Sequence, residues 1–429
     1  MKPSVEYALA KSKEKGLPLP PGEWVNINQI EWKNRRFLLD QSKQLGPIFK
    51  ALCWDGPWIC IVGLKESQKF IRENDAYLTP QTLRLQPLFP LGFLRQMKGE
   101  THQKYRRALV RAIDPIVFSA YESQHRQMIE EELDAFYTVQ QETNNLRDAF
   151  IPSLNRIASG LLIQIFFGAR YGSENFKKLM HLYHALGPNG LEWQIGDQQR
   201  QAFSEIRECI NEQINVSSTS RREWLPESII EQMRTWGPID ETMLGNLIYM
   251  VEMGRYDMYS LFRWLAKFAA DSPEWIDRIG LEGDQHSATG KTPAEAFVLE
   301  TLRLEQSERL LRTVEEDIEF GGYLIPKHAT VRLCLWEAHK LPTAFPEPFE
   351  FKPQRFLDNR YSLDQYAPFG LGIRKCPLAD VAIRMGTLLL KVMAENFAVE
   401  PLNDGPPIRG MYHWEPAYPF AVRLVRKSA

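Results

Sequence analysis

Cys376 stands at the end of a turn that contains two glycines and that the sequence predicts to lead directly into a helix. Gly370 and Gly372 let the backbone fold tightly and approach a flat surface that a Cβ would obstruct. Apolar residues resume at helical spacing with Val381 and Met385, so Cys376 lies at or just before a helix N-terminus. Unpaired backbone N–H groups at such an end favour the thiolate, which is the metal-binding form of cysteine.

Phe369, Gly372, Arg374 and Cys376 together form the pattern Phe-x-x-Gly-x-Arg-x-Cys. The pattern should arise by accident in about one chain of this size in a thousand. It is the haem-binding signature of the cytochrome P450 family, which this chain resembles. The resemblance implies that Cys376 ligates the iron of haem b, iron protoporphyrin IX, and that Arg374 reaches a haem propionate. The alternative for Cys376 alone is a buried structural thiol.

The resemblance also implies a fold for nearly the whole chain. The implied fold is mainly α with small β sheets, a triangular prism with haem between the central long helix and the Cys-loop helix. We find no linker that would separate domains, and we expect a single domain over residues 1–429. Within it, residues 1–20 form an N-terminal tail, and no fused reductase follows the Cys-loop helix.

Bulk composition is that of a soluble globular protein. The 429 residues are 44% hydrophobic and 25% charged, and a net charge of -2 argues against a nucleic-acid binder. Five cysteines are an odd number without a Cys-x-x-Cys pair, which argues against a disulfide framework or zinc site and fits a reducing cytoplasm. The first sixteen residues contain no apolar run. We therefore expect no membrane anchor and, from the resemblance, a soluble, bacterial-type protein in the cytoplasm.

Three basic residues match the family's propionate ligands. His102 and Arg106 are four residues apart, on one face of a predicted helix, and Arg312 matches a third position. Two buried propionates need cationic or N–H partners, because burying them alone is costly. Without Cys376, a basic solvent-exposed helix would be the preferred interpretation of this segment.

A second charged group matches the family's structural network. Glu300 and Arg303 lie three residues apart on one helical face, and Arg355 follows at a distance similar to that in the family. The resemblance implies a buried Glu-Arg-Arg network that braces the Cys loop without performing chemistry. An isolated pair of this kind would be interpreted as a solvated surface pair.

Hydrophobic periodicity predicts the main elements. The sequence predicts a β-hairpin around an Asp-Gly-Pro turn, with strands in Ile48–Trp54 and Trp58–Val62. A long, largely apolar helix is predicted after Pro238 and continues to Phe268. A second β-rich stretch covers 318–335, followed by an irregular, proline-rich meander.

The central helix departs from the family pattern. Its oxygen-binding segment usually reads Ala/Gly-Gly-x-Asp/Glu-Thr-Thr, and here Gly254 is kept, Tyr256 holds the acid position and Met258 holds a threonine position. In the usual mechanism the acid and alcohol relay protons, which methionine cannot do. Tyr256, Asp257, an ordered water or the substrate would have to substitute. Asp257 is about 100° of helix rotation from the acid position and is predicted to point elsewhere.

A second departure is Leu378, where the family normally has glycine two residues after the cysteine. A larger side chain there would press on the helix or the haem edge and alter the hydrogen bonds of the sulfur. It does not remove the ligand.

Three chemistries stay open at this point. Monooxygenation with an altered proton relay is the first, and oxidative C–C or C–N coupling of electron-rich aromatic substrates is the second. The third is a peroxide-driven or redox-neutral reaction, for which Arg255 lies next to the position of a carboxylate-binding arginine in peroxide-using relatives. A haem protein that senses or carries a ligand without turnover is the rival from another class.

Substrate and partners are predicted from the resemblance and from composition. The apolar and aromatic segment Tyr77–Phe93 corresponds to a variable loop over the haem, and residues around Trp193 and from Met411 to Phe420 should contribute. We expect a hydrophobic small molecule, with aromatic ones included, in specialised metabolism. Electrons would come from separate ferredoxin, with its reductase, or flavodoxin, docked near Lys375.

Overall fold

A computed structural model describes residues 4–82, 85–113, 116–142, 146–187, 195–215, 224–305, 310–410, 413–417 and 420–427. The α-helices in these ranges are α1 (Val5–Lys15), α2 (Ile27–Glu31), α3 (Phe37–Leu45), α4 (Leu64–Asn74), α5 (Gly99–Ala112), α6 (Ile116–Ser119), α7 (Glu122–Glu142), α8 (Leu146–Phe167), α9 (Glu174–Leu186), α10 (Asp197–Asn215), α11 (Ile229–Arg234), α12 (Glu241–Asp271), α13 (Pro273–Glu282), α14 (Pro293–Glu305), α15 (Leu335–Ala338), α16 (Gln354–Asp358) and α17 (Ala379–Asn396).

The strands form one five-stranded sheet and three two-stranded sheets. They are β1 (Ile48–Cys53), β2 (Gly56–Val62), β3 (Leu78–Pro80), β4 (Leu310–Val314), β5 (Ile318–Phe320), β6 (Tyr323–Ile325), β7 (Thr330–Cys334), β8 (Phe397–Asn403), β9 (Ile408–Arg409), β10 (Trp414–Glu415) and β11 (Ala421–Arg426). The large sheet has the order β1-β2-β7-β4-β3, and its β2–β7 pair is parallel. The small sheets pair β5 with β6, β8 with β11, and β9 with β10.

The chain divides into two compact units, each assembled from separate stretches of sequence. The first contains Met1–Leu83, Leu302–Lys352 and Asn359–Cys376, and the second contains Arg84–Thr301, Pro353–Asp358 and Pro377–Ala429. The five-stranded sheet belongs to the first unit and is buried on both faces. Along β2, Trp58, Cys60 and Val62 pack into one apolar cluster, while Ile59 and Ile61 pack into another. This alternation follows from the two-residue period of a strand.

The second unit is mainly helical and is organised by α12, which is 31 residues long. Asp240 caps its start by accepting a hydrogen bond from the backbone N–H of Met243 at 2.8 Å, and Pro273 begins the next helix. Its main partner is α8, whose stretch Ala149–Phe167 is long and apolar enough to cross a membrane. That stretch is 78% buried inside the protein, as expected for a core helix.

Most predicted elements are confirmed. The hairpin is β1–β2, the long helix is α12, and strands β5, β6 and β7 occupy the second β-rich stretch. Two segments differ in conformation from what the sequence predicted. Residues 1–20, expected as a tail, contain α1, which begins after the capping residue Ser4. Part of the predicted loop Tyr77–Phe93 is strand β3, which pairs with β4 more than 200 residues later in the chain.

Candidate functional site

The loop Phe369–Cys376, here called the Cys loop, has the tight conformation that its glycines predict. Gly370 and Gly372 have φ values of 86° and 65°, and Gly372–Arg374 form one 3₁₀ turn. The backbone N–H of Cys376 donates to the carbonyl oxygen of Phe369 at 2.8 Å, which closes the loop. Cys376 is partly exposed, whereas the other four cysteines are buried. Cys376 is therefore the cysteine that a ligand can reach.

The predicted helix follows this loop directly. Helix α17 begins at Ala379 with Leu378 as its N-cap residue, so Cys376 lies two residues before the cap. Leu378 is buried and contributes no side-chain hydrogen bond to the first N–H groups of the helix. The position of the cysteine just before a helix N-terminus is confirmed.

The surroundings of the loop fit a metal-bound macrocycle. A Cβ built on Gly372 would lie 3.0 Å from Cγ2 of Ile71, a tight contact that would require the Ile71 side chain to move by a few tenths of an ångström. Arg312 is buried on β4, and Leu310 of the same strand packs beside Gly370. The loop presents the partly exposed thiol of Cys376 and has no side chain at Gly370 and Gly372. The same unit contains the buried guanidinium of Arg312. These groups suit a haem iron and an anionic group of its ring.

The two loop glycines offer a matched test. Alanine at either position would sit at positive φ, at a cost of about 1–2 kcal/mol. At Gly370 the added Cβ would make ordinary contact at 3.5 Å, whereas at Gly372 it would meet Ile71 at 3.0 Å. We expect Gly372→Ala to lower the free energy of unfolding by roughly 1 kcal/mol more than Gly370→Ala. Urea titrations of both variants measure this, and equal losses would show that Ile71 does not constrain the loop.

The predicted Glu-Arg-Arg residues are all buried. Glu300 and Arg303 are fully buried on α14, and Nε of Arg355 lies 3.4 Å from Oε1 of Glu300. Within the first unit, Arg303 donates to the carbonyl oxygens of His339 and Pro348 through Nη1 and of Glu350 through Nη2, at 3.0, 2.7 and 3.1 Å respectively. Arg303 thus satisfies three acceptors of the irregular meander.

A hydrogen-bonded path continues from Arg303 to the Cys loop. Nε2 of His339 accepts from the backbone N–H of Ala367 at 3.0 Å, and the carbonyl of Ala367 accepts from the N–H of Gly370 at 3.2 Å. His339 is completely buried, and its burial, with Lys340 and Arg303 adding to the effect, holds the pKa of the imidazole well below its ordinary value. The ring is therefore neutral, with Nε2 free of a proton and able to accept.

This neutral histidine predicts a pH effect on stability. Below pH of about 6.5 the unfolded chain takes up a proton at His339 that the folded chain does not bind, so stability falls as the pH drops. We expect the free energy of unfolding to fall between pH 6.5 and 5 by about 2 kcal/mol more in the wild type than in His339→Gln. Glutamine keeps an acceptor for Ala367 and does not titrate. Parallel pH profiles in urea unfolding would contradict the neutral, buried imidazole.

The remaining predicted haem-binding residues belong to the second unit. His102 is buried on α5, and Arg106, one turn later, is partly exposed. His102 therefore does not fit the alternative of a basic helix in solvent. Arg312, Arg374 and Cys376 belong to the first unit. A joint role of these residues in binding haem stays a prediction.

A buried polar network, not predicted from the sequence, occupies one side of α12. Glu252 and Arg255 form a two-point ion pair, with Nε and Nη2 of Arg255 donating at 2.9 and 2.8 Å. Arg255 also donates to the hydroxyls of Tyr256 at 2.7 Å and Tyr259 at 3.1 Å. Tyr259 in turn lies 2.6 Å from the hydroxyl of Ser159 on α8. The spacing of Glu252 and Arg255 matches that of Glu300 and Arg303, so the signal was present in the sequence.

Both the hydroxyl of Tyr256 and the guanidinium of Arg255 find hydrogen-bond partners within this network. Tyr256 donates to Oε1 of Glu252 at 3.1 Å, and burial raises the pKa of Tyr256 far above its ordinary value. Burial alone would lower the pKa of Arg255, but the Glu252 carboxylate more than offsets this and raises it. A Cβ on Gly187 would lie 2.6 Å from both Tyr256 Oη and Arg255 Nη2, so the network is closely covered. Arg255 already binds a carboxylate of this chain.

The other predicted residues of α12 lie elsewhere around the helix. A Cβ built on Gly254 would lie 3.5 Å from Leu162 of α8, and Met258 is buried. The side chain of Asp257 is 67% exposed and accepts a hydrogen bond from Nε2 of His413 at 2.8 Å. The catalytic roles of Gly254, Tyr256 and Asp257 stay predictions.

An aromatic cluster includes part of the predicted substrate segment. Phe89 and Phe93 lie with ring centroids 5.7 and 4.6 Å from that of Tyr249 on α12, and Phe203 of α10 contacts Phe89 at 5.0 Å. Leu83, Trp193, Met411 and Tyr412, also predicted near the substrate, lie outside the described residues.

Known proteins resemble this chain in sequence and in fold. The family model described as Cytochrome P450 matches residues 293–414. Dimethylnonatriene synthase of Arabidopsis thaliana is 26% identical over 42% of this chain, and the chain spans 38% of its length. Abscisic acid 8'-hydroxylase of Solanum lycopersicum is 21% identical over 93% of this chain and 89% of its own. The solved structure of cyanobacterial CYP120A1 bound to retinoic acid has a similar fold, with a TM-score of 0.74 and 20% sequence identity. The match covers 96% of this chain and 100% of the CYP120A1 chain.

The mainly helical fold with small sheets is thus that of the cytochromes P450. In sequence, residues 293–414 resemble the cytochrome P450 family, and in fold the resemblance extends over 96% of the chain.

Proposed function

We propose that this protein is a haem-thiolate oxidoreductase that oxidises a hydrophobic small molecule. The observation that carries the proposal is the closed loop that presents Cys376, the one cysteine that is not buried. Monooxygenation is the favoured reaction, which the relative named as a hydroxylase supports. Oxidative coupling of aromatic substrates stays within the proposal, because the usual acid and alcohol positions hold Tyr256 and Met258.

The cofactor in this proposal is haem b. When bound, a haem with a thiolate ligand activates oxygen, since the sulfur donates electron density that favours O–O cleavage. Cys376 would supply that ligand. Arg312, Arg374, His102 and Arg106 would neutralise the propionates, which cannot be buried without cationic or N–H partners.

The aromatic cluster of the second unit supports the proposed substrate class. Phe89, Phe93 and Tyr249 pack edge to face or tilted against one another, and all three are largely buried. Aromatic side chains of this kind suit a flat apolar ligand. We therefore favour an aromatic or otherwise hydrophobic metabolite from specialised metabolism, with electrons from separate ferredoxin or flavodoxin donors in the cytoplasm.

The proposal is tested in two steps with purified, haem-loaded protein. A spectral-shift screen against aromatic, terpenoid and fatty-acid libraries identifies compounds that displace water from the iron. Each binding compound is then incubated with ferredoxin, ferredoxin reductase and NADPH, and oxygen consumption is compared with product formation. We expect aromatic compounds to bind and to yield oxygenated or coupled products. Binding without oxygen consumption with both ferredoxin and flavodoxin would favour a ligand sensor instead.

A further inference from the structure

Two polar side chains are buried at the contact between α7 and α8 without a hydrogen-bond partner among the described residues. Nδ1 of His125 on α7 and both amide atoms of Gln164 on α8 have no partner there, and each residue is 1% exposed. Burying an imidazole or an amide without a hydrogen bond is costly, and buried polar groups in folded proteins almost always bind protein atoms or ordered water. The two side chains therefore mark a place where a further hydrogen-bonding group is needed.

A close approach of the two helices fixes one end of this contact. A Cβ built on Gly160 of α8 would lie 2.7 Å from Sδ of Met128 of α7. Gln164 follows Gly160 by one turn, and His125 precedes Met128 by three residues. Each polar residue therefore lies on the face of its helix that takes part in this approach.

The segment before α11 fixes the other end. The hydroxyl of Tyr121, one turn before the buried histidine, donates to the Glu227 carboxylate. The next residue, Ser228, has its Oγ 2.9 Å from the Cβ that Gly168 would carry, one turn after the buried glutamine. Both helices thus meet the same short segment at this end, so the two polar side chains occupy one stretch of the interface between the two fixed ends.

The hydrogen-bonding groups at this place are neutral. Burial lowers the pKa of His125 to about 4, so the imidazole carries no charge near neutral pH. The Gln164 amide offers both a donor and an acceptor, and Nδ1 of an uncharged imidazole is one or the other, depending on the tautomer. The hydroxyl of Ser228, which is also buried without a partner in the described part of the chain, can be either. Such groups match a neutral molecule that both donates and accepts better than an ion, and internal water typically makes about three hydrogen bonds of this kind.

We propose that the interface between α7 and α8 contains an internal water site, in which water bridges Nδ1 of His125 and the amide of Gln164. Oγ of Ser228 lies at the α11 end of the same site. Such a bridge joins the two helices where their polar side chains do not bond to each other directly. The inference goes beyond the proposed oxidoreductase function, because it involves neither Cys376 nor a haem.

Replacement of Gln164 by leucine tests the bridge through the sign of its effect on stability. Leucine is similar in size and removes both amide atoms, so a bridging water loses its partners on α8. We expect the midpoint of urea unfolding of the full-length, haem-loaded protein to fall by about 0.3 M. If the amide instead had no partner in the folded protein, its replacement by an apolar side chain would raise the midpoint. A raised or unchanged midpoint would overturn the site.

Crystal structures of the wild type and of Gln164→Leu locate the water directly. In the wild type we expect a buried water within about 3.2 Å of both Nδ1 of His125 and an amide atom of Gln164. We expect no water at that position in the variant. A direct hydrogen bond between the two side chains in the wild type, with no water between them, would overturn the proposal even if the variant failed to fold.

Gln199 on α10 provides the matched control. This glutamine is 2% exposed, its Nε2 donates to the carbonyl oxygen of Gly187 at 3.4 Å, and its Oε1 accepts from the N–H of Gly196 at 3.0 Å. Gln199→Leu therefore breaks hydrogen bonds within the protein, and we expect a lower urea midpoint but an unchanged water beside His125. Loss of that water in Gln199→Leu would contradict its assignment to Gln164. Neither readout uses activity, so failure of the water site would leave the proposed oxidoreductase function standing.

Discussion

Replacement of Cys376 by serine is expected to abolish the thiolate-type absorption of the reduced carbon monoxide complex. Cys376 is the partly exposed cysteine of a loop closed by the hydrogen bond from its own N–H to Phe369. Serine preserves the size of the side chain and the backbone geometry but is a far poorer donor to iron. The absorption spectrum of the reduced, carbon monoxide-treated protein measures the change. We also expect oxidase activity to fall by several orders of magnitude, because the electronic contribution of sulfur is lost.

Cys53→Ser is the matched control for that variant. Cys53 is buried in the same unit and donates to Oδ1 of Asn28 at 3.0 Å, a bond that a serine hydroxyl can also make. We expect its carbon monoxide spectrum to equal that of the wild type. A thiolate-type spectrum retained in Cys376→Ser would assign the iron ligand to a different residue.

Breaking the buried ion pair of α12 is expected to have the largest effect on stability. Glu252 is 1% exposed and binds Arg255 through two hydrogen bonds, so Glu252→Leu leaves a buried guanidinium without its counter-charge. Loss of one partner of such a pair costs about 3–5 kcal/mol. The free energy of unfolding, from urea titration, measures this loss.

A second substitution tests the physical reason for that loss. In Glu252→Leu/Arg255→Met neither charge is buried, and we expect most of the lost stability to return. The exposed pair Glu174–Lys177 on α9 is the control, since Glu174→Ala should cost less than about 1 kcal/mol. If Glu252→Leu costs no more than Glu174→Ala, the network does not stabilise α12 as the distances indicate.

The parts of the site that the sequence predicted are those set by local chemistry. Gly370 and Gly372 require positive φ, and the apolar spacing after Cys376 requires a helix, so both could be read from a few neighbouring residues. The hairpin β1–β2 and helix α12 were predictable for the same reason. Strand β3 was not, because its three residues gain a partner only through β4, far along the chain.

The long-range contacts of α12 could not be predicted from the sequence. Asp257 was recognised as a titratable residue, but its partner His413 is 156 residues away and carries no motif. Tyr256 occupied the acid position by alignment, yet only the three-dimensional structure shows its hydroxyl bound to Glu252 and Arg255. Contacts of this kind depend on which helix faces meet, and no local pattern encodes that.

Iron K-edge X-ray absorption of the haem-loaded ferric protein tests the central claim most directly. The measurement counts the sulfur atoms bonded to iron without reference to any substrate or redox partner. We predict one sulfur in the first coordination shell of the wild type and none in Cys376→Ser. A first shell of nitrogen and oxygen alone in the wild type would contradict the thiolate ligand and, with it, the proposed function.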